Sequence, residues 1–170
     1  MPENPMALQF PVHIPFIEQL GFELLRLGGG EAEIAVALRE EHFNSFRVAH
    51  GGLTMTLLDV VMAHAARSVN MTAPGEGGTS PVDHGPGVVT IEMKTSFMRP
   101  GQGRLRGTGR LLHRSAALAF CEGSVFGEDG ALCAHATATF KYLRALPTDR
   151  RTLAPLQKRE PPAFDGSGSD

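Results

Sequence analysis

Asn44-Ser-Phe-Arg-Val-Ala-His50-Gly-Gly52-Leu-Thr-Met-Thr-Leu-Leu-Asp59-Val-Val-Met-Ala-His64-Ala-Ala-Arg67-Ser-Val69 is an apolar segment with an aspartate set in its middle. From Leu53 to Val69 only Asp59, His64 and Arg67 can ionise. The composition predicts one long helix, and a helix that is apolar almost all round is normally buried. Aspartate is a poor residue for mid-helix, and a desolvated carboxylate costs several kcal/mol unless something compensates it. Arg67 cannot be its direct partner, because residues eight apart on a helix do not meet. An unpaired carboxylate in such surroundings points to an active site.

The flanks supply strands. Residues 1–12 carry prolines and little periodicity, and read as a flexible N-terminal arm. His13 to Leu20 suggests a short helix ended by Gly21, and Phe22 to Leu27 a strand before the turn Gly28-Gly-Gly30. Ala32, Ile34, Val36 and Leu38 alternate as a second strand, and residues 40–49 read as a loop leading into the helix. After the helix, residues 72–87 are rich in glycine and proline and predict a long loop of the kind that borders ligand sites. Four strands follow. Val88–Phe97 alternates, with Val89, Ile91, Met93, Thr95 and Phe97 on one face and Thr90, Glu92, Lys94 and Ser96 on the other. Pro100-Gly-Gln-Gly103, His113-Arg-Ser115 and Gly127-Glu-Asp-Gly130 are the turns between the rest. The expected organisation is an arm at 1–12, one domain at 13–144 and a disordered tail at 145–170. A helix apolar on all sides is sheltered only by a sheet that curls around it, so the expected class is α+β, a curled antiparallel sheet wrapped around one long central helix.

A hydrophobic share of 42% against 20% charged, with a formal charge of −2, is ordinary for a globular protein and gives no basic surface for nucleic acid. Neither a signal peptide nor a membrane span is expected, which points to the cytoplasm. Cys121 and Cys133 match no zinc spacing and read as reduced core residues, so neither a metal nor a cofactor is expected.

Asn44, His50-Gly51-Gly52 six residues on, and Asp59 nine residues after the histidine resemble the hotdog-fold acyl-CoA thioesterases of the phenylacetate-degradation type. The resemblance runs over roughly residues 13–143. It includes His13-Ile-Pro-Phe, the stretch from Val88 to Arg99-Pro100, Leu118-Ala-Phe120 and the closing Ala136-Thr-Ala-Thr139-Phe-Lys141. It implies hydrolysis of an aryl- or medium-chain acyl-CoA by a homodimer or homotetramer whose active sites lie at the subunit interface. It assigns Asp59 as nucleophile or general base, Gly51 N–H as donor to the thioester oxygen, Asn44 as orienting group and Thr90 as an assisting hydroxyl. Substrate contacts would fall on His50, Gly52, Met55, Arg99 and the turn His113-Arg114, where family members meet nucleotide phosphates. One departure stands out: many members have glycine three residues after the asparagine, where this chain has Arg47.

The residues themselves support this chemistry. Thioester cleavage puts negative charge on the carbonyl oxygen, and the first-turn amides of a helix lack partners and carry positive potential. A carboxyl among Leu, Met and Val is pushed toward the pKa range of a working base. Gly51 and Asp59, eight residues apart on one helix, are about 12 Å from one another along its axis, so both reach one thioester only if they come from different subunits. The plainer roles are a turn cap for Asn44, a helix-start residue for His50, core packing for Met55, Met62 and His64, and solvated surface for most of the arginines. Two other functions fit the segment. A hydratase or dehydratase would use a histidine–acid pair, which His42-Phe43 resembles, but the Pro-Gly expected before its helix is absent. A non-catalytic acyl-CoA-binding module would hold ligand and release no thiol.

Overall fold

A computed structural model of the chain describes residues 7–71 and 86–143, with two short strands at 147–148 and 151–152. In order the elements are α1 (Pro15–Gln19), β1 (Glu23–Gly28), β2 (Glu31–Ala37), α2 (Gly51–Ser68), β3 (Gly87–Phe97), β4 (Arg104–Arg114), β5 (Leu118–Phe126), β6 (Leu132–Leu143) and the two-residue strands β7 (Pro147–Thr148) and β8 (Arg151–Thr152). A six-stranded antiparallel sheet in the order β1-β2-β4-β5-β6-β3 lies against α2. The class is α+β, as the sequence implied.

The helix is seated unusually close to the sheet, and glycines explain why. On β4 a Cβ at Gly107 would stand 2.9 Å from the Leu57 side chain, and one at Gly109 would stand 2.6 Å from the Val61 carbonyl oxygen. On β5 a Cβ at Gly123 would be 2.9 Å from Met62. Leu57, Leu58, Val61, Met62, Ala65 and Ala66 fill the space this leaves and are fully buried. Gly109→Ala meets helix backbone rather than a movable side chain. Overpacking of this kind costs about 1–3 kcal/mol, so its urea midpoint should fall clearly below that of the native chain.

Three expectations need correction. The helix is not sheltered on every side. Gly52, Met55, Thr56, Asp59, Val60 and Ala63 recur at spacings of three and four, and none of them is fully buried. This open stripe carries the carboxylate. Second, β3 does not alternate strictly. A bulge between Thr90 and Glu92 turns Ile91 outward and places Thr90 on the helix side, paired with Phe140, together with Met93 opposite Ala138, Thr95 opposite Ala136 and Phe97 opposite Ala134. Third, the part of the N-terminal arm that is described, residues 7–12, docks: Leu8 bridges Leu24, and Phe10 and Val12 are buried. Apolar side chains too few to show periodicity still seal one flank of the helix. Within the tail, β7 and β8 pair. Most of the long loop at 72–87 and the rest of the tail lie outside the described residues. Among those described, no helix is long and apolar enough to cross a membrane.

Candidate active site

The segment before α2 is built to deliver a helix N-terminus. The Asn44 side-chain oxygen accepts from Phe46 N–H at 2.9 Å and Val48 N–H at 3.4 Å, and its backbone N–H donates to the Val48 carbonyl. The asparagine therefore folds its own loop, and the part of its side chain not used this way is the amide nitrogen. Arg47 sits inside that loop at φ +57°, a left-handed conformation that glycine adopts without strain. A glycine at this position would take it freely. Here the guanidinium makes a two-pronged contact with Glu40 at 2.9 and 2.8 Å and lies over the Phe43 ring, so it is committed to the loop surface.

His50 caps α2. Its Nδ1 accepts the Gly52 N–H at 2.9 Å and its carbonyl accepts from Thr54, while its own N–H is held by the carbonyl of His42. A Cβ at Gly52 would stand 3.1 Å from that Nδ1, so any other residue would make the cap give by a few tenths of an ångström. The Gly51 N–H has no acceptor among the described residues, and the Phe97 ring is 3.6 Å from where a Cβ at this position would stand. His42 is buried, takes the Arg39 N–H on Nδ1 and positions His50 through its carbonyl. That is a scaffold role, at odds with a hydratase base.

Asp59 lies on the open stripe, half-buried, in a cleft of about 500 Å³ formed with α1, the segment before it and the start of β3. Its Oδ1 accepts the Thr90 hydroxyl at 2.7 Å, and no ion pair to it is found among the described residues. Burial raises its pKa, and the Thr90 hydrogen bond partly counters the rise. Met55 lines the same cleft, one helical turn earlier.

The other sequence candidates are dispersed. Arg99 is exposed just past β3, its backbone N–H held by the Cys133 carbonyl. His113 and Arg114 are not in a turn: β4 continues through them, and the turn falls at Ser115, whose hydroxyl takes the N–H groups of Ala117 and Leu118. A bulge between Leu111 and His113 lengthens the strand by one residue, which sequence spacing could not reveal. His113 stacks on Phe120 and Arg114 contacts Asn70 at the C-terminal end of α2, the end opposite Gly51. In one chain, then, Asp59 and Met55 share a cleft, with Thr90 bonded to the carboxylate; Gly51, Gly52 and His50 form a separate amide-bearing corner, and Arg114 stands at the far end of the helix.

Sequence reasoning missed one wall of the cleft, Val12, Ile14, Phe16 and Ile17, and missed the neighbourhood of Phe97 to Gly51 outside it. The N-terminal residues gave no period to follow. Phe97 was visible only as one more apolar residue of a strand.

Residues 46–134, which hold the capped helix entry, the carboxylate and strands β3 to β5, match the model of the Thioesterase superfamily. The chain belongs to the Thioesterase superfamily. Its fold is the hotdog fold. This membership places the chain broadly among hydrolases. A curated relative of Mycobacterium tuberculosis, whose name suggests an esterase, is 29% identical over 114 residues, or 66% of this chain and 74% of the relative. A conserved protein of Pseudomonas aeruginosa is 27% identical, with a TM-score of 0.65 over 84% of this chain and all of that one. The phenylacetic acid degradation protein PaaI of Thermus thermophilus, solved as a single-residue variant, is 27% identical, with a TM-score of 0.62 over 76% of this chain and all of its own.

For a thioesterase-superfamily carboxylate the Thr90 contact has a measurable consequence. Thr90→Val removes the group that lowers the Asp59 pKa and leaves the burial that raises it. With Asp59 as the working carboxylate, the acidic limb of the kcat profile would move to higher pH, with about a tenfold loss of rate at a pH on the old limb for each unit of movement; an unmoved limb would show that another group sets it.

Proposed function

We propose that this protein hydrolyses aryl- or medium-chain acyl-CoA thioesters, with the Asp59 carboxylate of one subunit and the Gly51 amide of another acting on the same carbonyl. The observation that carries this reading is the carboxylate itself: shielded, raised in pKa, aligned by a hydroxyl at 2.7 Å and set at an apolar cleft. The Gly51 N–H polarises the thioester oxygen where charge develops. Asp59 either takes a proton from a water that attacks the carbonyl carbon, so that CoA thiolate leaves and the free acid forms, or attacks that carbon itself, expelling CoA thiolate to leave a mixed anhydride that water then cleaves to the free acid and the Asp59 carboxylate.

The straight helix supports a shared site, because it holds Gly51 and Asp59 about 12 Å apart along its axis. The edge strand supports a way to build it. β3 is long, unpaired on one side, and bears exposed Ile91 and Phe97. Such an edge is a template for a second copy. A two-fold axis through Lys94 would pair Met93 with Thr95 and Glu92 with Ser96. The extra residue at the Ile91 bulge then brings Thr90 of one subunit opposite Phe97 of the other. Thr90 holds Asp59, and the Phe97 ring stands 3.6 Å from where a Cβ at position 51 would be, so this register supports bringing the two reactive groups together. The exposed Arg99 and Arg114 are the cations on offer to CoA phosphates, with the exposed His113 ring beside Arg114, and the proposed reaction calls for no metal or redox cofactor.

Thiol release from a panel of phenylacetyl-, benzoyl-, hexanoyl- and octanoyl-CoA, followed with a thiol reagent, tests the assignment. Turnover of one or more members is expected. Hydration of crotonyl-CoA without thiol release would replace it with the hydratase reading, and tight binding of every CoA ester with no chemistry would leave a binding module.

A further inference from the structure

Arg47 is held in a conformation that its own residue type disfavours, and neither the fold nor the chemistry above accounts for it. At φ +57° a residue with a β-carbon is crowded against its own backbone, as glycine is not. The guanidinium makes two contacts against this strain, the two-pronged bond to Glu40 and a place 5.2 Å from the centre of the Phe43 ring. Both Arg47 and Glu40 are exposed, and exposed pairs add little to stability. Contacts and strain therefore about offset one another, and the arrangement does little for the fold as a whole. What it does fix is the tip of the loop. Ser45 and Phe46 stand in solvent, Phe46 at 83% exposure, so no buried side chain anchors the tip. The stem is anchored independently: Phe43 bridges Ala49, Ala49 N–H donates to the Gly101 carbonyl, and His50 N–H donates to the His42 carbonyl.

The tip in turn orients Asn44. The Asn44 side-chain oxygen is held by N–H groups of the tip, those of Phe46 and Val48, and its carbonyl accepts the Arg47 N–H at 3.0 Å. With that oxygen occupied, the side chain has only its two amide hydrogens left to offer. They have no acceptor among the described residues, and they belong to the loop that runs directly into Gly51.

We infer that Arg47 is a positioning residue: clamped to Glu40, it fixes the loop tip so that the Asn44 side chain presents its amide hydrogens to the reacting oxygen, and it acts on turnover through Asn44 without touching substrate. This rests on the thioesterase reading and deepens it. Because the stem has bonds of its own, the clamp governs Asn44 and spares the Gly51 amide.

Kinetics of Arg47→Gly and Glu40→Ala on the best ester of the panel test this. Each should lower kcat by about tenfold, a partial loss of orientation. KM should stay within about twofold, the pattern of an interaction made in the transition state. Asn44→Asp supplies the matching background, since one carboxylate oxygen can still accept from Phe46 and Val48 while the amide hydrogens are gone. In that background Arg47→Gly should cost about twofold or less, because two changes along one line of action do not add. An unchanged kcat in either single variant, or the same loss in Asn44→Asp as in the native chain, would overturn the inference. So would a rise in KM at constant kcat, the mark of a cation that meets the CoA phosphates instead. Backbone nitrogen relaxation gives a readout independent of turnover. Order parameters at Phe46, Arg47 and Val48 should be about 0.85 in the native chain and fall toward about 0.6 in Arg47→Gly. Equal order in the two chains would overturn the clamp whatever the kinetics. If no ester of the panel releases thiol, the hydrolysis reading falls and the relaxation data still decide the clamp. Thiol release that is lost in Asp59→Asn but intact in Arg47→Gly would keep hydrolysis and sink the positioning role.

Discussion

In Asp59→Asn, thiol release falls by about 10²–10⁴-fold, the contribution of a well-placed acid–base group, while KM changes little and the folded state becomes more stable at neutral pH. The first part follows from geometry. The amide keeps the shape of the carboxyl and can still accept the Thr90 hydroxyl, so the cleft keeps its form while losing the charge that attacks or activates water. The second part follows from the sign of the pKa shift. Burial raises the Asp59 pKa in the folded chain, so folding favours the protonated carboxyl. Stability from this group is greatest below the unfolded pKa and declines as pH rises toward the folded one, leaving the ionised form as a strain on the native state at pH 7. Replacing it with a neutral isostere relieves that strain, and Tm at pH 7 should rise while the native and variant melting curves converge toward low pH. A carboxylate serving only structure would behave oppositely, with loss of Tm and unchanged turnover. Stability given up at one residue for reactivity is the usual mark of a working site.

How much of this was legible in the sequence depends on the range of the interactions involved. α2 and the alternation of β2 were plain because period and composition are local properties, and the glycine signals placed most turns correctly. The carboxylate was legible because an ionisable residue inside an apolar run is a contradiction that the chain itself displays. What escaped was set by contacts between distant segments. The bulges at Ile91 and Leu112 arise from pairing with β6 and β5, so counting along β3 assigned Thr90 to the wrong face and counting along β4 ended it too early. The docking of Phe10 and Val12 depends on a flank of α2 that only the finished sheet leaves open. The strain at Arg47 is a backbone torsion, and its clamp to Glu40 became evident only once the loop was seen to close. The open stripe at 52, 55, 56, 59, 60 and 63 was available in the spacing all along. It was hidden by its own apolar content, since Met55, Val60 and Ala63 look like core residues until something fails to cover them.

Equal mixing of two inactive chains, Asp59→Asn and Gly51→Pro, should restore about a quarter of native activity after subunit exchange. Gly51→Pro removes the proposed oxyanion donor with little disturbance elsewhere. Position 51 begins the helix, where proline is favoured and its missing N–H leaves no helical hydrogen bond unmade. His50 already has φ −60° and ψ 135°, within the extended region that a residue before proline prefers. A Cβ at 51 meets only the Phe97 ring, at an ordinary 3.6 Å. Loss of this one donor should cost about 10²–10³-fold in kcat. In random dimers about half are mixed, and each mixed dimer holds one site with both defects and one with neither, which gives the quarter. If instead Asp59 and Gly51 of the same chain served one site, every site in the mixture would carry a defect and activity would stay at the level of the separate variants. The helix forbids that second arrangement unless it breaks between residues 51 and 59, and α2 runs unbroken from Gly51 to Ser68. Recovery near a quarter would therefore establish both the reacting pair and the subunit boundary between them, and a flat response from well-folded, exchanging chains would refute the shared site.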